Sequence, residues 1–128
     1  MKPIRILALI TVVVLIMSSC HTEEINHDPQ KAYLHIQGGF NYDDVQIDID
    51  GVQVYHNDSV NTNNLLGIAD VDSTTQPYGN HEIKVNVNNG FIYTEHFDLH
   101  QTLWIGMSLN SSDSTLNFIY STEPYLYD

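Results

Sequence analysis

From Tyr33 onward, apolar and polar residues alternate with period two. "YLHIQ" (33–37), "VQIDI" (45–49), "IKVNV" (83–87) and "LNFIY" (116–120) each place every second side chain on one face, and clusters of Asn, Asp, Gly and Ser separate them. Nowhere do apolar residues recur at i, i+3, i+4 and i+7 for the ten or more positions a helix needs. The pattern predicts an all-β domain, a small antiparallel β-sandwich of about seven strands. About ninety residues suffice for one such core, burying ~60 to 65% of the unfolded chain's surface, and leave no room for a second domain.

Two hairpins can be placed by register. "VQIDIDGVQVYH" (45–56) has spacing that superficially suits a Ca²⁺ loop: with Gly51 at position 6, Asp48 and Asp50 fall correctly. Gln46 then stands at position 1 and Asn57 at position 12, so both end ligands are missing. Read as a hairpin, Asp50-Gly51 supplies a type I′ turn. Ile49 then faces Val52, Ile47 faces Val54 and Val45 faces His56, with Asp48–Gln53 and Gln46–Tyr55 on the other side. In "IKVNVNNGFIYTEHFDL" (83–99), Asn88-Asn89-Gly90 reads as a three-residue loop closed by Gly90 in the left-handed conformation. It sets Val87 against Phe91 and Val85 against Tyr93, and keeps Phe97 and Leu99 inward. A two-residue loop would gain one Lys84–Glu95 pair, worth ~0.2 to 1 kcal/mol at a surface, but would expose aromatic and Leu side chains worth ~1.5 to 3 kcal/mol each.

The first twenty residues follow a different rule. Lys2 and Arg5 precede an apolar run from Ile6 to Met17, then Ser18-Ser19 and Cys20. The run is short of the ~20 residues that span a bilayer, and the pattern reads as a cleaved signal segment, residues 1–19. Cys20 is the only cysteine, so no disulfide can form within the chain. "MSSC" (17–20) resembles the lipobox of bacterial lipoproteins, with Met17 where an aliphatic residue is usual. The resemblance implies cleavage before Cys20 and acylation of its thiol, with two or more chains giving a firm membrane anchor. Residues 20–31, polar, acidic and containing Pro29, read as a tether, and 32–128 as the domain. Glu23-Glu24 resembles the acidic signal after the cysteine in some Bacteroidota lipoproteins. It implies outer-membrane attachment, with display at the cell surface favoured over the periplasmic face.

"VQIDIDGVQV", "PYGNHEIKVNVNNGF" and "FDLHQTLWIGMSLN" together are similar to PEGA-like and transthyretin-like bacterial surface modules, over roughly residues 45–110. The segment 57–76 is longer than that pattern. The resemblance implies a sandwich used as an accessory or adhesion module, with no catalytic residues to carry over.

Charge narrows the partners. The chain carries 16 Asp and Glu against 4 Lys and Arg, a formal net charge of −12. All of the acids follow Cys20, where Lys31 and Lys84 are the only cationic residues besides histidine. Nucleic acid is excluded as a partner, since its binding depends on neutralised phosphates. Candidate chemistry is sparse. His96 and His100 lie ~13 Å apart along a strand, too far to share one ion, and His81 is placed to approach His96 across the second hairpin. His56 is read near the turn end of the first hairpin. The serines of "NSSDS" (110–114) form a turn and lack a nucleophile-elbow setting. Asp70 and Asp72, read at a strand end or on an outer face and followed by a loop rich in oxygen atoms, are the weak candidates for Ca²⁺, and no other cofactor is expected. For partner binding the candidates are Asp48 and Asp50 with the tyrosines Tyr120, Tyr125 and Tyr127, since Tyr offers contact area at low entropic cost. Beyond Pro124 the chain is either a docked end or an exposed recognition segment. The expectation is a non-enzymatic, lipid-anchored envelope module that binds an envelope protein or glycan; the alternative is an acidic inhibitor or immunity lipoprotein acting on a cationic hydrolase.

Overall fold

The structure, a computed structural model, describes residues 27–127. Cys20, the signal segment and most of the tether lie outside the described residues. The fold is all-β: β1 Gln30–Ile36, β2 Asp43–Ile49, β3 Val52–Val60, β4 Asp70–Gln76, β5 Gly79–Val87, β6 Phe91–Leu99, β7 Leu103–Asn110 and β8 Thr115–Ser121. Two four-stranded sheets form, ordered β4-β1-β7-β8 (sheet A) and β3-β2-β5-β6 (sheet B). Every pairing is antiparallel except β1 with β7, which run parallel. Alternation makes the core: Leu34, Ile36, Ile105 and Met107 from sheet A meet Val45, Ile47, Ile49, Ile83, Val85 and Leu99 from sheet B, all fully buried. Each contributes ~1.5 to 3 kcal/mol of burial.

Eight strands stand where about seven were expected. The one with no alternating pattern is β4: the stretch read as a loop after Asp70 and Asp72 is strand through Gln76, and Val71 is the only apolar residue of "DVDSTTQ". Pairing with β1 from Gln30↔Gln76 to Ile36↔Asp70 makes it a strand. β1 itself begins at Gln30, two residues inside the stretch assigned to the tether.

The Asp50-Gly51 turn is as expected, with φ of 50° and 79°. Ile49↔Val52 and Asp48↔Gln53 also pair as expected, but a bulge at Val54 then shifts the register to Ile47↔Tyr55, Gln46↔His56 and Val45↔Asn57. The reason is burial: the shift brings the Tyr55 ring to the inner face, 6% exposed, and sends His56 out to Asp44. His56 therefore sits in mid-strand, away from the turn. In the second hairpin Val87↔Phe91 and Val85↔Tyr93 pair as read, and Phe97 and Leu99 are buried. Its left-handed residues are Asn88 and Asn89, φ 53° and 52°, and Gly90 is not among them. Asn tolerates this region, and the Asn88 amide is held there by donating to Asp43, while its side-chain oxygen accepts from the Asp44 N–H.

Candidate functional site

The two flanks of the sandwich close differently. Along β6 and β8, Phe97 stacks near Tyr120 with centroids 6.4 Å apart, and the Tyr93 hydroxyl donates to the Ser114 carbonyl at 2.5 Å. Along β3 and β4 the inward positions of β4 are Asp70, Asp72 and Thr74, opposite Ile36, Leu34 and Ala32. Carboxylates cannot enter an apolar core unpaired, so this flank stays open. A groove of about 730 Å³ results, lined by Gln53, Tyr55, His56, Asp58, Asp70 and Asp72 among others. Tyr55 forms its floor, donating its hydroxyl to Asp70 Oδ2 at 2.7 Å. Burial, and secondarily the Asp70 carboxylate, pushes the Tyr55 phenol above its ordinary range. The remaining Asp70 oxygen accepts the Val71 N–H and Asp72 accepts the Ser73 N–H, at 2.9 and 2.7 Å. No group of three or more His, Cys, Asp or Glu suited to a metal ion occurs among the described residues.

Asp48 and Asp50, expected to meet a partner, are engaged within sheet B. Asp48 is buried, accepts from the Gln46 amide at 3.0 Å and lies 3.7 Å from Lys84 Nζ. Asp50 accepts the Glu82 N–H at 2.9 Å and contacts His81 Nδ1 at 2.5 Å, tying the hairpin turn to β5. The Glu82 N–H, and next the His81 contact, hold its carboxyl below the usual range. His81 is buried, its other nitrogen 2.6 Å from the Pro77 carbonyl. It does not approach His96, because β6 sets Phe97 opposite His81 and His96 opposite Glu82, on the other face.

The tyrosines divide. Tyr120 turns inward beside Ile105 and packs on the core; burial, then the Glu95 carboxylate, raises its phenol. Past Pro124 the chain folds back over the outer face of sheet A as a docked end. Tyr125 donates to the Ile119 carbonyl at 2.8 Å, with a second contact of 3.2 Å to the Trp104 carbonyl. The Tyr127 hydroxyl accepts from the Gln37 amide at 3.1 Å, leaving its own proton free for His35 Nδ1 at 2.8 Å. His35 is covered by both rings, and desolvation lowers its pKa. Gly106 lies opposite His35, and a Cβ there would press on the Gln37 amide at 2.9 Å.

No family model matches the chain, and no curated protein or solved structure shows significant similarity to it. The groove was missed in the sequence because "DVDSTTQ" carries no strand pattern of its own; Pro124 left a docked end and an exposed recognition segment both open, and the packing of Tyr125 and Tyr127 on sheet A decides for the docked end.

Proposed function

We propose that this chain is a lipid-anchored, non-catalytic binding or accessory module of the bacterial cell envelope, held at the outer membrane through acylated Cys20, with the PEGA-like or transthyretin-like sandwich as its working part. The observation that carries the binding role is the open β3/β4 flank. There inward-facing carboxylates prevent the sandwich from sealing and leave an extended polar groove between two strand edges, a shape that accepts an elongated protein segment or polymer. Of the groups lining it, the Tyr55 hydroxyl and the Asp70 carboxylate are joined and the Asp70 and Asp72 carboxylates accept neighbouring backbone N–H groups, an arrangement suited to recognition.

The test is a pull-down from envelope extracts of the source bacterium, at low and high salt, with the chain beside an Asp58→Asn/Asp72→Asn variant. Retention of one envelope protein or polymer at both salt levels, weakened by the variant, supports the module; equal retention by the variant removes the groove from the reading. A second reading, an acidic inhibitor of a cationic hydrolase, is favoured by Asp58, Asp70 and Asp72 lining one groove that no Lys or Arg enters. It requires binding to a basic lysozyme-type hydrolase that salt strips away. For the anchor, Cys20→Ser should weaken attachment to membranes, and sedimentation equal to that of the unsubstituted chain at every lipid concentration would refute lipidation.

A further inference from the structure

The outer face of sheet A differs in composition from the rest of the molecule. Its outward strand positions are Lys31, Tyr33 and His35 on β1, Val71, Ser73 and Thr75 on β4, Trp104, Gly106 and Ser108 on β7, and Asn117, Ile119 and Ser121 on β8. None is acidic, in a chain with 16 Asp and Glu. Sheet B presents the opposite, an outer face of carboxylates with basic side chains beside them: His56–Asp44 at 2.8 Å, Lys84–Asp48 at 3.7 Å and His96–Glu82 at 3.9 Å. Register sets Val71, His35, Gly106 and Ile119 in one row across sheet A, and Tyr33 beside Trp104 in the next, their rings stacked at 5.1 Å. Val71 is 48% exposed and Ile119 51%. Tyr125 and Tyr127 dock over the middle of the row, so Leu126 between them in sequence is turned out, 88% exposed. Lys31, one of two lysines in the domain, sits on this face 5.5 Å from the Tyr33 ring.

We propose that this face lies on a lipid surface. Exposed aliphatic side chains backed by Tyr and Trp rings, with a lysine at the margin, suit the boundary between headgroups and acyl chains. Carboxylates would be repelled by phosphates, and the outward strand positions of this face lack them, with Glu123 of the C-terminal segment at its margin beside Ser121, while the acidic face of sheet B is left to water. The proposal draws its geometry from the anchored reading above: β1 begins ten residues after Cys20, so the anchor reaches at most ~35 Å from the start of this same sheet. Docked in this way, the anchored domain lies on its side, with sheet B uppermost and the β3/β4 groove opening along the membrane.

The chain's only tryptophan, Trp104, is on the face and reports its contact directly. The experiment uses the processed, lipidated chain and its Cys20→Ser form, each mixed with phosphatidylethanolamine–phosphatidylglycerol vesicles whose acyl chains are brominated near the headgroup. Sedimentation reads the anchor; quenching of Trp104 reads the face. The expected result is quenching in the lipidated chain, and in Cys20→Ser at high lipid concentration. Quenching should be lost in Val71→Asp/Ile119→Asp/Leu126→Asp, which should still sediment when lipidated and keep its β circular dichroism. Leu126→Asp alone, at the most exposed position, should lose part of the quenching without burdening the fold. A lipidated chain that sediments with Trp104 unquenched overturns the proposal while leaving the anchor intact, as does undiminished quenching in the triple variant. Equal sedimentation and equal quenching of the two chains at every lipid concentration would support the face and overturn the anchor alone. A Trp104 response to isolated envelope polysaccharide, with none to lipid, would assign the face to a glycan and overturn the lipid reading.

Discussion

At the scale of single residues, two titratable groups connect the turns and the docked end to stability. Asp50 sits in the left-handed region at the hairpin turn and holds β5 through the Glu82 N–H and His81. Asp50→Asn keeps the conformational tolerance and the shape but removes the charge, so it should cost about 1 kcal/mol in urea unfolding, modest because the side chain is half exposed. Its folded pKa lies below the ordinary value, so the contribution is present above the unfolded carboxylate pKa and is lost as pH falls through the folded one. The difference between wild type and Asp50→Asn should therefore shrink in acid, and a constant difference would contradict the assignment. His35 has the same sign by another cause. Burial under Tyr125 and Tyr127 lowers its pKa, so the unfolded chain binds the proton more readily. Its contribution is complete above the unfolded histidine pKa near 6.5 and is lost as pH falls below that value. His35→Gln should flatten the pH dependence of stability over this window, and an unchanged slope would mean that the docked end does not govern it.

Elements were legible where their apolar alternation is strong and their turns carry specific chemistry. Ile83–Leu99 has both, and its register was readable residue by residue. β3 alternates as well, yet the bulge at Val54 moved Tyr55 inward. A period-two reading cannot place an unpaired residue, because the gain from burying Tyr55 exists only once β4 and the opposite sheet are present. β4 was hidden for a related reason: its backbone hydrogen bonds come from β1, and its side chains say little about strand structure. The connection between β1 and β2 contains a constraint that composition could not reveal. Gly39 has φ of 89°, and a Cβ there would lie 1.7 Å from the Leu109 carbonyl oxygen. Gly39→Ala should thus destabilise the domain by ~2 kcal/mol or more, through both the backbone conformation and the clash. Gly51→Ala, with φ of 79° and open space around its Cβ, should lose only the conformational part. Equal losses for the two would refute the steric argument.

Across the whole molecule, charge and topology act together. The sequence has a net charge of −12, and most of the carboxylates among the described residues gather on sheet B and in the groove, leaving the outward strand positions of sheet A without them. Repulsion among them should be relieved by added salt, so the melting temperature should rise between low and near-physiological ionic strength. A melting temperature that falls instead would show that attractive contacts such as Lys84–Asp48 outweigh the repulsion.

Local alternation and turn chemistry were sufficient to specify an all-β chain, its two main hairpins and most of its core, because side-chain period and turn conformation depend on neighbours within a few residues. Only the tertiary structure decided that β1 lies between β4 and β7, that the β3/β4 flank stays open, that Tyr120 faces in while Tyr125 and Tyr127 cover His35, and that the outward strand positions of one sheet carry no carboxylate. Those outcomes follow from pairing between segments as far apart as Ala32 and Leu103, and such pairing is settled by the burial and hydrogen bonding of the assembled sandwich.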